Sequence, residues 1–83
     1  MLHSFTSEQI WEAIEVLFPN DIDNFVARCN REYEWDYDKD IDDIICTLSD
    51  DAFINEVEFI FSSSDIENIT DWLVEEYMRE IYV

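Results

Sequence analysis

The residues able to do chemistry are few, and their spacing gives them little to work with. The only histidine, His3, stands ahead of the first helical pattern, far from either cysteine. Cys29 and Cys46 form no CxxC pair and have no neighbouring histidine, so neither a zinc pattern nor a thiol–imidazole pair is present. Glycine is absent, which removes any glycine-rich phosphate loop. Asp36, Asp38 and Asp40 imitate the opening of a calcium-binding loop. However, the sixth position, normally glycine, is Ile41, and the twelfth, normally a bidentate Glu, is Thr47. Among 22 acidic residues no catalytic dyad can be singled out. The sequence therefore predicts no enzyme, no catalytic residue, no metal site and no cofactor.

What remains is the arrangement of charge. The chain carries 22 acidic residues against 4 basic ones, a formal net charge of -18. Such an imbalance opposes folding by self-repulsion, so it must serve something other than the fold. Adaptation to high salt is one explanation, but 13 aromatic residues fit it poorly. The pairs Glu8–Glu12, Glu67–Asp71, Asp71–Glu75 and Glu76–Glu80 place like charges at i, i+4 on helical stretches. Each such pair costs roughly 0.2–0.5 kcal/mol, where lysine at the second position would stabilise. The cost recurs on separate segments, which points to attraction of a cationic partner.

Acid and aromatic alternate through Glu32, Tyr33, Glu34, Trp35, Asp36, Tyr37 and Asp38, and Asp40, Asp42 and Asp43 extend the negative run. Seven of the twelve residues 32–43 are acidic, a poor composition for a paired strand, so the segment reads as a loop or frayed connector, a short strand being the lesser alternative. There Trp35 and Tyr37 could stack on arginine while Glu32, Glu34, Asp36, Asp38, Asp40, Asp42 and Asp43 meet lysine and arginine. A second acidic row, Glu8, Glu12 and Glu15, lines the outer side of the first helical pattern. These twelve residues are the candidate partner-binding set.

The elements that must position them are helical. Thr6 and Gln9 have the spacing of a capping box, with Phe5 and Ile10 as its hydrophobic staple. Ile10, Ile14, Leu17 and Phe18 follow on one face, Trp11 flanks them, and Pro19 ends the helix. A second helix from Asn20 or Asp21 to about Tyr33 carries Ile22, Phe25, Val26 and Cys29 inward, with Arg28 and Arg31 among its polar residues. Ile41, Ile44, Ile45 and Leu48 mark a short third. Ser49 caps a fourth, with Phe53, Ile54, Val57, Ile60 and Phe61 inward. Ser62, Ser63 and Ser64 read as a loop, and Ser64 with Glu67 as a capping box opening a last helix with Ile66, Ile69, Leu73 and Tyr77 inward. The expected fold is all-α: a single acidic domain, residues 1–83, of four to five short helices in one bundle.

Both cysteines fall in apolar register and read as small core residues with free thiols, a single disulfide being the alternative. No signal-peptide pattern and no apolar run longer than three residues is present, so a cytoplasmic chain with no membrane contact is expected. An acidic surface would not bind nucleic acid directly. A chain this long should have a radius of gyration of ~12 Å and a body ~30 Å across. The same length of duplex DNA carries roughly 18 phosphates, so the charge density suffices to imitate it.

In size, acidity, helical grammar and lack of catalytic groups, the whole chain resembles the small acidic proteins that phages and mobile elements deploy against host defence. These are the DNA mimics, including anti-restriction and anti-CRISPR proteins. The resemblance implies a viral or mobile-element inhibitor acting in the host cytoplasm through protein–protein contact. Its carboxylates would occupy the phosphate sites of a basic nucleic-acid-binding protein, such as a nuclease or a CRISPR or restriction complex. Two rivals remain open: an immunity protein or antitoxin neutralising one basic toxin, though the Tyr-Tyr-Pro loop of colicin-type immunity proteins is missing, and an acidic adaptor using 32–43 as its ligand. A homodimer, which would extend the charged surface, is compatible with the sequence.

Overall fold

The computed structural model describes residues 2–32 and 41–82, with side chains described over 2–32 and 43–79. Among the described residues there are five α-helices and no strand: α1 (Ser7–Leu17), α2 (Ile22–Glu32), α3 (Ile41–Thr47), α4 (Asp50–Ile60) and α5 (Ser63–Tyr82). Short 3₁₀ turns at Leu2–Ser4 and Pro19–Asp21 precede α1 and α2. The all-α bundle expected from the sequence is the fold.

Local grammar explains the starts. Thr6 Oγ1 accepts from the Gln9 backbone N–H at 3.2 Å, and Gln9 Oε1 accepts from the Thr6 N–H at 2.9 Å, closing the capping box. Ser49 caps α4 by accepting from the Ala52 N–H at 3.2 Å. α5 corrects the expectation: its cap is Ser62, whose Oγ accepts from the Asp65 N–H at 3.2 Å. The loop is accordingly shorter than three serines, because Ser63 and Ser64 are already helical. Starting the helix early lets Phe61 leave α4 directly into the core, against Phe18 at 5.1 Å between ring centroids.

The core is a single cluster around an aromatic chain that crosses three helices. Trp11 of α1 meets Phe25 of α2 at 5.2 Å, and Phe25 meets Phe53 of α4 at 5.2 Å, both tilted. Ile10, Ile14, Ile44, Val57, Ile69 and Leu73 close around these rings. α1 packs chiefly on α5, and α2 on α4. Leu17 and Cys46, expected inward, are exposed. Leu17 is the last residue of α1, where the half-buried Phe18 ring packs against the core instead. In α3 the inward face belongs to Ile44 and Ile45, with Leu48 buried just after the helix, which turns Cys46 outward.

Both thiols are free, and their surroundings differ. Cys29 is fully buried, and burial, reinforced by the Glu56 carboxylate and opposed by Arg28, pushes its thiol up to about 12 from 9.0. The unfolded chain loses this proton near pH 9 while the folded chain keeps it. The contribution of Cys29 to stability is therefore complete below pH 9 and is lost as pH rises towards about 12. Its slope there approaches about 1.4 kcal/mol per pH unit. Cys29→Ala should flatten the alkaline limb of the stability–pH curve, read by urea titration at each pH. Native protein should react with a thiol reagent at one site, Cys46, and at a second only after denaturation.

Candidate protein-binding surface

The acidic row of α1 is real and borders a depression. Glu8, Glu12 and Glu15 are all exposed, and with Trp11 of the same helix and Ile45 and Cys46 of α3 they line a hollow of about 360 Å³. Its wall is rigid because the core fixes it. Trp11 is buried against Phe25, and its indole Nε1 donates to Glu15 Oε1 at 2.6 Å. On the α5 side, Tyr77 Oη donates to Glu12 Oε2 at 2.8 Å, and the Tyr77 ring lies against Phe5. Two of the three carboxylates are thus aimed by neutral donors that leave their charge in place. A charge-assisted hydrogen bond fixes orientation without neutralising.

A second hollow of about 390 Å³ shares Glu8, Ile45 and Cys46 and runs on past Thr6, Ser7 and Leu48 to Asp50. The Ser7 hydroxyl donates to Asp50 Oδ1, joining the start of α1 to the start of α4. Asp50 and Asp51 occupy the first turn of α4, as Glu8, Asp23 and Asp65 do on their helices. There a negative charge favours the helix by interacting with its positive end. Sequence reasoning missed Asp50 and the wall residues Trp11 and Ile45, because the hollow exists only once α3 lies beside α1.

Of the other candidates, Glu32 ends α2 and pairs with Arg28 at 3.3 Å. Asp43 is exposed on α3, and Asp42 lies in the first turn of that helix. Glu34, Trp35, Asp36, Tyr37, Asp38 and Asp40 lie outside the described residues, as does the loop expected for them. The chain from Ile41 to Thr47, which a twelve-residue calcium loop would need as its second half, is helix α3. Helix α3 thus carries Asp42 and Asp43 near its start and lines the hollow beside the α1 row with Ile45 and Cys46.

Compensation of this charge is sparse. Side chains are described for sixteen acids, of which thirteen are exposed, Asp21 and Asp65 are half-buried, and Glu56 is buried. Among the described residues the ion pairs are Arg28–Glu32, Arg28–Glu56 and Arg79–Glu75. The last is exposed at both ends and worth little. The like-charge pairs on α5 leave a measurable mark. Asp71 is exposed between Glu67 and Glu75, one turn away on either side. Asp71→Lys should replace two repulsions with two attractions and raise stability by about 1 kcal/mol, measured by urea denaturation in low salt. The body that carries the charge measures 43 × 23 × 21 Å with a radius of gyration of 12.9 Å, longer and narrower than the expected globule because α5 runs for 20 residues. No family model, curated protein or solved structure matches the chain.

Proposed function

We propose that the protein is a stoichiometric, non-catalytic inhibitor that covers the positively charged nucleic-acid-binding surface of a target protein as a DNA mimic. The expected setting is counter-defence by a phage or mobile element, against a nuclease or a CRISPR or restriction complex. One observation carries the reading: thirteen exposed carboxylates are spread over a slender body 43 Å long, with few cations to answer them. A duplex of that length presents roughly 25 phosphates at one per ~1.7 Å, against 22 acidic residues in the whole chain.

The α1 row is the part best built for recognition. Two of its carboxylates, Glu15 and Glu12, are held by Trp11 and Tyr77, so an incoming arginine meets charge already oriented and loses less entropy in the contact. The hollow behind the row, walled by Trp11 and Ile45, has room for the aliphatic stem of an arginine or lysine. Carboxylates of α4 and α5 supply the longer-range field that steers association.

The test is a pull-down from host lysate with the tagged protein, eluted by a salt gradient and challenged with duplex DNA. A nucleic-acid-binding protein that comes down, leaves at moderate salt and is displaced by DNA is the expected result. A partner that DNA cannot displace, or one with no nucleic-acid site, would overturn the mimic reading and favour the adaptor. A partner encoded beside this chain as its toxin would favour an antitoxin.

A further inference from the structure

One face of the molecule is chemically unlike the rest. Phe59 of α4 is 68% exposed, the most exposed large apolar side chain among the described residues. The Arg28 guanidinium of α2 lies over its ring, 3.8 Å from the centroid. Arg28 is itself fixed, with Nε on Glu56 Oε2 at 2.9 Å and Nη1 on Glu32 Oε1 at 3.3 Å. Helical spacing sets Asn24 and Arg31 one turn to either side of Arg28, and Asn55 one turn before Phe59, and all three are exposed. At its centre Arg28 and Arg31 offset Glu32 and Glu56, and the exposed acids Asp23, Asp51 and Glu58 stand at its margin. On a chain of net charge -18 this is a patch whose central charges are balanced, with an aromatic ring among them.

We propose that this α2–α4 face is where a second copy of the chain binds, in a two-fold arrangement with Phe59 at the middle of the contact. Two such bodies repel wherever acidic rows come within a Debye length, about 8 Å at physiological salt. Across this patch they repel less than where acidic rows such as Glu8, Glu12 and Glu15 face each other. The face also complements itself. It carries exposed Arg31 and the partly exposed Glu32 carboxylate, one of each sign. Its asparagine amides both donate and accept, so the same patch can serve as both partners across a two-fold axis. A basic protein would gain less from this balanced patch than from the acidic rows and would be drawn to those instead. The pairing uses none of the residues that line the α1–α3 hollow, and it stands whether or not the DNA-mimic reading does.

The experiment is sedimentation equilibrium of the full chain over a wide concentration range, at low and high sodium chloride, with reductant present so that Cys46 cannot cross-link. The mass should rise from 10.0 kDa towards twice that value, and added salt should tighten the dimer by screening the remaining repulsion. Phe59→Asp should weaken dimerisation roughly tenfold or more while leaving the thermal midpoint close to wild type. Asn24→Asp with Asn55→Asp keeps the Phe59–Arg28 contact, adds two charges to the face and should have the same effect on mass. A chain that stays monomeric at the highest concentration and salt would overturn the proposal. So would a dimer indifferent to both variants, which would place the contact elsewhere.

Discussion

Phe25→Ala should cost about 3–5 kcal/mol and bring the protein close to global unfolding. Phe25 is fully buried and, among the described residues, is the one ring that touches both Trp11 and Phe53, so its removal breaks the aromatic link between α1 and α4 as well as emptying the site. A chain of this length has a total stability of roughly 4–12 kcal/mol, and the self-repulsion of its acids places this one towards the lower end. Urea denaturation followed by far-ultraviolet circular dichroism should show the midpoint falling by half or more. Added salt should return part of the loss, since screening relieves the repulsion that the core must overcome. A midpoint within a few tenths molar of wild type would mean that the core collapses freely around the gap.

The second large effect is expected at Arg28. Its side chain holds the carboxylate of Glu56, which is 7% exposed between α2 and α4. Arg28→Met keeps the aliphatic bulk and removes the cation, leaving a buried carboxylate without its guanidinium. Breaking a buried pair from one side typically costs 3–5 kcal/mol; with Arg28 partly open to water, about 3 kcal/mol is expected here. Adding Glu56→Met to Arg28→Met should recover most of the loss, because a matched apolar pair requires no desolvated charge. Equal stability of the single and double variants would show that the ion pair carries little of the α2–α4 contact.

Much of this architecture was readable because it is locally written. Thr6 with Gln9, and Ser49 with its following turn, are complete instructions within four residues, and the structure follows them. Ser62, Ser63 and Ser64 are each acceptable caps, and nothing local chooses among them. The choice falls to the burial of Phe61, which lies before the cap and answers to Phe18, 43 residues away in sequence. Cys46 illustrates a related limit: adjacent Ile44 and Ile45 are both inward, and a seven-residue helix has too few turns for periodicity to fix which edge stays wet. The Arg28–Glu56 pair was illegible for a different reason. A glutamate within an apolar helix face reads as part of a solvated row until a cation from another helix is seen beside it. The acidic row at Glu8, Glu12 and Glu15 was visible from spacing, whereas the hollow behind it depends on where α3 lands.

The bend between α4 and α5 is made without glycine or proline. Phe61 leaves α4 in an extended conformation, φ -101° and ψ 141°, with its N–H still on the Val57 carbonyl at 3.0 Å, and Ser62 opens the next helix at once. Nothing in the backbone of these two residues forbids α4 and α5 from running on as one rod, and the corner is held by the Phe61 ring in the core. The corner is thus a property of the assembled domain and not of its own segment, which ties the directions of the two longest neighbours in the chain to a single cooperative event. In hydrogen-exchange terms, the Phe61 amide should open only with the whole molecule, despite sitting at a helix terminus where fraying is the rule. Exchange at the rate of an ordinary helix end would show that the corner can open by itself.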